Sequence, residues 1–274
     1  MFYSEMNSPE LCSNLKNQVI GVQEQKMTTD INNRRIALVT GASRGMGFAI
    51  AKRLAMEGVH VVATARNKDG LDMLGEIIQR NGEDCTLVPL DLSDSEGINE
   101  LCQLIDNKFG KLDILVGNAG ILGPLSPFHG VTLRMWEEVF AVNVTANFHL
   151  IKGLDKLLRK SSAGRAVFIS SGILTDIKPS FGAYIASKSA LEGMILSYAG
   201  ELAGTLAKVN VVRLGVVVTD MARSIFSKEG LEKLPKPDEV SGEFLRYLSP
   251  DNILNGEIID IFPLKSVEHI AKRS

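Results

Sequence analysis

The chain has 274 residues, 45% of them hydrophobic, with a formal net charge of −2 and a mean hydropathy of +0.10, enough apolar content for one large α/β domain or two small ones. It has no basic surplus to grip nucleic acid, and no apolar run approaches the roughly 20 residues that cross a bilayer. Cys12, Cys85 and Cys102 lack Cys-x-x-Cys spacing and His60, His129, His149 and His269 lie scattered, which argues against a disulfide framework or a metal centre and suits a soluble, cytoplasmic protein.

Residues 1–33 are polar and aperiodic, with Glu5, Glu10 and Lys16 where a secretory signal needs unbroken apolar sequence, so a flexible extension is expected. Met27 is a plausible alternative start. A domain is expected over 34–264, followed by a basic tail over 265–274.

Regular organisation begins with the buried-strand pattern Ile36–Val39, the loop Thr40-Gly-Ala-Ser-Arg-Gly-Met-Gly47, and a helical pattern with Ile50, Ala51, Leu54 and Ala55 on one side. In that context Gly41 permits a tight turn, Gly45 lets a phosphate approach the backbone, and Gly47 lets the helix pack on the strand. Ser43, Arg44 and Met46 lie on the same loop, and the helix start presents free N–H groups to a pyrophosphate. The spacing departs from Gly-x-Gly-x-x-Gly, with three residues between the first two glycines and one between the last two.

The next strand, Val59–Ala63, ends in Thr64-Ala65-Arg66-Asn67. A carboxylate here would bond a ribose diol and repel a 2′-phosphate, whereas Ala65 offers none and Arg66 supplies a fork matched to phosphate. With Arg44 as a second cation, this favours NADP over NAD.

A strand at Cys85–Leu90 leads to Asp91 and Leu92 at the crevice, where Asp91 either accepts from an adenine amino group or caps the following helix. The strand Leu112–Val116 is closed by Gly117-Asn118-Ala119-Gly120, small residues that permit a nucleotide to pass close by. Strands alternating with helices over short connections imply a doubly wound, mostly parallel sheet with its site at the strands' carboxyl ends.

After the apolar strand Ala166–Ile169 comes Ser171, able to hydrogen-bond a substrate oxygen, and then Tyr184 and Lys188, one turn apart on a predicted helix over Tyr184–Glu201. A phenol of ordinary pKa about 10 donates slowly at neutral pH, and a cation within a few ångströms would lower that value. The pair alone is weak evidence, because a chain with four tyrosines and many lysines supplies such a spacing by chance often enough.

Taken together, the Thr40–Gly47 loop, Asn118-Ala-Gly120, Asn143, Ser171, Tyr184-x-x-x-Lys188 and Gly215 through Thr219 resemble the short-chain dehydrogenase/reductase family in order and spacing, from about residue 34 to 262. The resemblance implies a single Rossmann-type domain, a seven-stranded sheet flanked by helices, and hydride transfer between NADP(H) and a small carbonyl compound or its alcohol. It implies that Tyr184 moves the proton, that Ser171 steadies the oxygen and that Lys188 also holds the nicotinamide ribose. Asn143 matches an asparagine that anchors a water; the alternative is an asparagine satisfied inside the long helix with Trp136, Val139 and Leu150. Gly215, Val217 and Thr219 match the segment that binds the carboxamide.

The chain departs from the pattern at Leu214, where the family has proline and whose freer φ is expected to loosen the loop, and at Gly117 and Ala146. Residues Asp220 to Glu239 read either as a substrate lid or as a small helix packed on the core, with Phe181, Met221 and Phe226 giving a partly apolar pocket. The resemblance also implies a homodimer or homotetramer. Two further readings stand beside the reductase: a 3-oxoacyl-carrier-protein reductase, and a nucleotide-sensing protein that keeps the fold without turnover.

Overall fold

The computed structural model describes residues 34–262; the expectations for the N-terminal extension and the basic tail lie outside these. Seven strands, β1 (Ile36–Thr40), β2 (His60–Ala65), β3 (Cys85–Pro89), β4 (Ile114–Gly117), β5 (Arg165–Ser171), β6 (Lys208–Leu214) and β7 (Ile258–Ile261), form one sheet in the order β3-β2-β1-β4-β5-β6-β7. Every neighbouring pair is parallel, including β7 on β6, so the sheet is wholly rather than mostly parallel. The order reverses between β1 and β4, and there the connections leave the sheet in opposite directions and open a crevice at the carboxyl ends.

The core follows from the two-residue period of the strands. On one face Leu38, Val62, Leu115, Phe168 and Val211 pack under α3 (Ser95–Phe109), α5 (Ala146–Lys160) and α6 (Gly182–Glu201). On the other, Val39, Val61, Val116, Val167 and Val212 pack under α1 (Gly45–Met56), α2 (Lys68–Arg80) and α9 (Pro237–Leu248). Each fully buried Leu, Ile or Phe contributes about 1.5–3 kcal/mol, so both faces must be covered, and the alternating helices cover them. Among the described residues no helix is long and apolar enough to cross a membrane.

The long helix expected around Asn143 is interrupted. It consists of α4 (Leu133–Phe140), a π turn at Ala141–Thr145, and α5. Inserting one residue into a helix in this way rotates the side chains that follow and frees backbone groups, and here it turns Asn143 into the protein interior. The segment after β6 holds two short helices, α7 (Asp220–Arg223) and α8 (Lys228–Leu231). Leu214, where the family has proline, is the last residue of β6, in register with Ser171 and Ile261, and the next N–H, of Gly215, donates to Ile261 at 2.9 Å.

Candidate active site

A cavity of about 950 Å³ runs across the carboxyl ends of the strands. Of the residues singled out from sequence, Gly41, Ser43, Arg44, Gly45, Met46, Arg66, Asp91, Leu92, Asn118, Ala119, Gly120, Ser171, Tyr184, Lys188, Gly215, Val217 and Thr219 all line it; Gly47 and Asn143 stand behind its wall.

Glycine is required at three of these places for different reasons. Gly41 and Gly45 have φ of +65° and +60°, where a Cβ is strained. Gly47 has ordinary φ, but a Cβ there would lie 2.4 Å from both the Gly41 carbonyl oxygen and Asn118 Nδ2. Asn118 is the stitch across this region, its Nδ2 donating to the carbonyls of Thr40 at 2.8 Å and Gly41 at 3.3 Å. Thr40, which the sequence reading passed over, completes the stitch: its hydroxyl accepts from the N–H groups of Asn118 and Ala119, both at 3.0 Å. The available signal was a polar residue ending an apolar strand just before a glycine turn.

Helix α1 opens on the cavity with no side-chain cap and no acidic residue in its first turn. Its free N–H groups and the positive end of its dipole suit an anion. Two cations flank that end. Arg44 pairs with Asp220 of α7 at 3.0 Å and Arg66 with Asp91 at 3.6 Å. Asp91 is not the cap of α3, a place taken by Asp94, which accepts from the N–H groups of Glu96 and Gly97. Burial pushes the Asp91 carboxyl up, but two hydrogen bonds from Ser93 and the Arg66 charge outweigh it and hold the group below the usual carboxylate range.

The opposite, closed end is formed around buried polar groups. Tyr184 and Lys188 are only 8% and 3% exposed, on the cavity face of α6. Lys188 Nζ donates to the Ile169 carbonyl at 2.7 Å and stands 5.8 Å from the Tyr184 ring centre. Burial pulls its pKa down to about 8, while the Glu192 carboxylate pushes it back up. The phenol does not follow the sequence expectation. Burial raises the Tyr184 pKa, and the counterweight is the Ser171 hydroxyl rather than Lys188, because desolvating an anion outweighs an ammonium directed at a carbonyl. Ser171 Oγ also accepts from the Ile173 N–H at 3.3 Å.

Asn143 is fully buried. Its Nδ2 donates to the Ile121 carbonyl and to Ser187 Oγ, both at 2.9 Å, and its Oδ1 accepts from the Ile121 N–H at 2.8 Å. These bonds satisfy the side chain, which fastens the loop after Gly120 to α6. Gly215 meets β7 so closely that a Cβ would fall 1.5 Å from the Phe262 carbonyl oxygen. Thr219 Oγ1 accepts from the Ala222 N–H at 3.3 Å as the cap of α7. Beyond the phenol the cavity is lined by Leu122, Val142, Ile173, Phe181, Met221 and Phe226.

Residues 35–230 match the family model of the short chain dehydrogenases. The chain belongs to that family. Among its relatives is the uncharacterized oxidoreductase YciK of Escherichia coli K12, 36% identical over 226 residues that make up 81% of this chain and 89% of YciK. The 3-oxoacyl-[acyl-carrier-protein] reductase FabG of the same strain is 35% identical over 195 residues, 70% of this chain and 77% of FabG. A short chain dehydrogenase from Shigella flexneri, solved in complex with NADP, superposes with a TM-score of 0.79 at 34% identity, over 85% of this chain and 99% of the other. The fold and the oxidoreductase family are thereby fixed for this chain.

Proposed function

We propose that the chain is an NADP(H)-dependent oxidoreductase that interconverts a small carbonyl compound and its alcohol, with Tyr184 as general acid and base. One observation carries the reading: a buried phenol and ammonium, with a half-buried hydroxyl, line the closed end of the same cavity whose open end holds an uncapped helix start and two arginines.

The residues fit a dinucleotide phosphate. The free N–H groups of α1 suit the pyrophosphate, Arg44 and Arg66 suit a 2′-phosphate, and Val217 and Thr219 border the place for a carboxamide. When bound, the reduced nicotinamide supplies hydride to the carbonyl carbon. The side chains then manage the oxygen. Ser171 donates to it and orients it, Tyr184 passes it a proton, and Lys188, charged, makes the resulting phenolate less costly in a site that otherwise disfavours it. Burial raises the phenol pKa, so the site favours the neutral phenol, the form that can donate. Phe181, Met221 and Phe226 favour a carbonyl compound with apolar substituents, and a homodimer or homotetramer in the cytoplasm completes the reading.

A second reading, reduction of a 3-oxoacyl group on a carrier protein, is supported by the likeness to FabG. Following the absorbance of NADPH and of NADH across ketones, aldehydes, quinones and acyl thioesters tests both. Turnover with NADPH and small ketones is expected; turnover confined to acyl thioesters would favour the second reading, and a preference for NADH would overturn the cofactor assignment. Oxidation of neither coenzyme would favour a nucleotide-sensing protein instead.

A further inference from the structure

Behind the closed end of the cavity lies a charge cluster, buried at Glu192 and partly exposed at Arg213, that the reaction as described does not use. Glu192 sits on α6 one turn beyond Lys188, on the same buried face. Its carboxylate takes three donors from two strands: Ser170 Oγ at 2.7 Å from β5, and from β6 the Arg213 fork, Nε to Oε1 at 2.8 Å and Nη2 to Oε2 at 2.7 Å. Ser170 and Arg213 are register partners, so their side chains rise from one face of the sheet and meet the helix together. The residues on either side of Ser170 both serve the cavity, Ile169 through the carbonyl that holds Lys188 and Ser171 through its hydroxyl.

Burying the Glu192 carboxylate is a poor way to gain stability, because an apolar residue of similar volume packs without the cost of desolvating a charge. What an ion pair provides and an apolar pair cannot is a fixed field. Here the carboxylate stands one turn from Lys188 on α6, and the guanidinium reaches it from β6, where Arg213 is in register with Asp260 of β7.

We propose that Glu192, held by Arg213 and Ser170, is a positioning residue that keeps Lys188 charged and directed at the Ile169 carbonyl, and so sets the alkaline limit of the reaction. The inference rests on the reading of Lys188 as the partner of Tyr184. The groups that face the ammonium are Tyr184 and Glu192 on its own helix, the Ile169 carbonyl of β5 and the neutral Asn143 of the π turn, with Arg213 and Asp260 behind Glu192. Burial works against the ammonium and Glu192 works for it. A lysine whose pKa is pulled down loses its proton as pH rises through the lowered value, so anything that weakens Glu192 brings that loss to lower pH.

The test is a titration of the Lys188 13Cε resonance in the cofactor-free enzyme, assigned against Lys188→Arg, followed from about pH 6 to about pH 11. In Glu192→Gln the midpoint is expected to fall by about one pH unit, and in Arg213→Leu, which leaves the carboxylate without its cation, to rise. Glu192→Asp should bring it back toward the parent. The alkaline limb of kcat/KM with NADPH should move in the same directions, with kcat on its acid plateau little changed. Opposite shifts from the two substitutions are something a merely structural cluster would not produce. An unmoved midpoint in Glu192→Gln, or shifts of the same sign in both, would overturn the inference. If Glu192→Gln does not fold, as judged by its melting curve, Arg213→Leu decides alone, a rise supporting and no rise refuting. Tyr184→Phe separates the two levels: if it keeps its turnover the reading of the site fails, whereas a dead Tyr184→Phe with an unmoved lysine sinks only the role of Glu192.

Discussion

The two ends of the cavity handle charge in opposite ways. At the glycine-loop end the cations are worn outside: Arg44 and Arg66 have 70% and 63% of their side chains exposed and each holds an exposed aspartate, Asp220 and Asp91. At the closed end Lys188 and Tyr184 are buried, and the lysine's partner is a main-chain carbonyl. Exposed pairs contribute about 0–1 kcal/mol and are screened by salt, so an arriving anion exchanges with them at little cost. Buried groups have no water to fall back on, and their protonation is set beforehand by burial and by fixed neighbours. One end is therefore suited to binding that varies with conditions and the other to chemistry that does not.

Breaking the buried end should cost most. Tyr184→Phe removes the proposed proton donor while leaving the ring in its packing, and Ser171 keeps its bond from the Ile173 N–H. Turnover is expected to fall by about 10³-fold, within the range for loss of a positioned general acid, with NADPH affinity, measured by fluorescence, changed by less than about three-fold. A fall in affinity as large as the fall in turnover would mean that the two ends are not separable. Next comes Arg66→Ala. Losing a charge-assisted fork should lower kcat/KM with NADPH by about 10–100-fold and leave the NADH value nearly unchanged, since only the former carries a 2′-phosphate. Equal losses with both coenzymes would show that Arg66 does not read that group.

How much of this was legible in sequence differs between the two ends for a physical reason. The glycine loop, Arg44 and Arg66 are local: a short apolar run, then glycines, then an amphipathic helix place them within a few residues of a strand's end, and the structure has them lining the cavity. The parallel sheet was legible too, because both of its faces are covered and its strands read as unbroken apolar runs. The closed end depends on contacts between residues far apart in the chain. Four-residue spacing put Tyr184 and Lys188 on one face, but the direction of the phenol's shift turned on how deeply α6 is buried against β5, which spacing does not encode. The π turn at Asn143 was hidden because the run Ala-Val-Asn-Val-Thr, poor in helix formers, carries no signal that separates a π turn from a continued α-helix. Glu192 was hidden because a charged residue on a helix reads as solvent-facing unless the partner strand is known, and its partner Arg213 is 21 residues away. Gly117 looked like a departure from the family pattern, yet a Cβ there would lie 2.2 Å from the Phe168 ring, so the position has no room for anything larger.

The smallest effect is the most pointed test of the exposed end. Asp91 holds Arg66 at 3.6 Å while its Oδ1 accepts from the N–H and the hydroxyl of Ser93. Asp91→Asn can keep both Ser93 bonds, because an amide oxygen accepts as a carboxylate does, so the loop geometry should persist. What disappears is a negative charge beside the place where a phosphate would meet Arg66. If Asp91 only competes for that arginine, KM for NADPH should fall by about two- to three-fold at low ionic strength, and the gain should vanish as salt screens the exposed charges. kcat should not move, because the buried end is untouched. A rise in KM in this variant would mean that the carboxylate itself accepts from the nucleotide base, and the exposed end would then recognise its ligand with an anion as well as with its two cations.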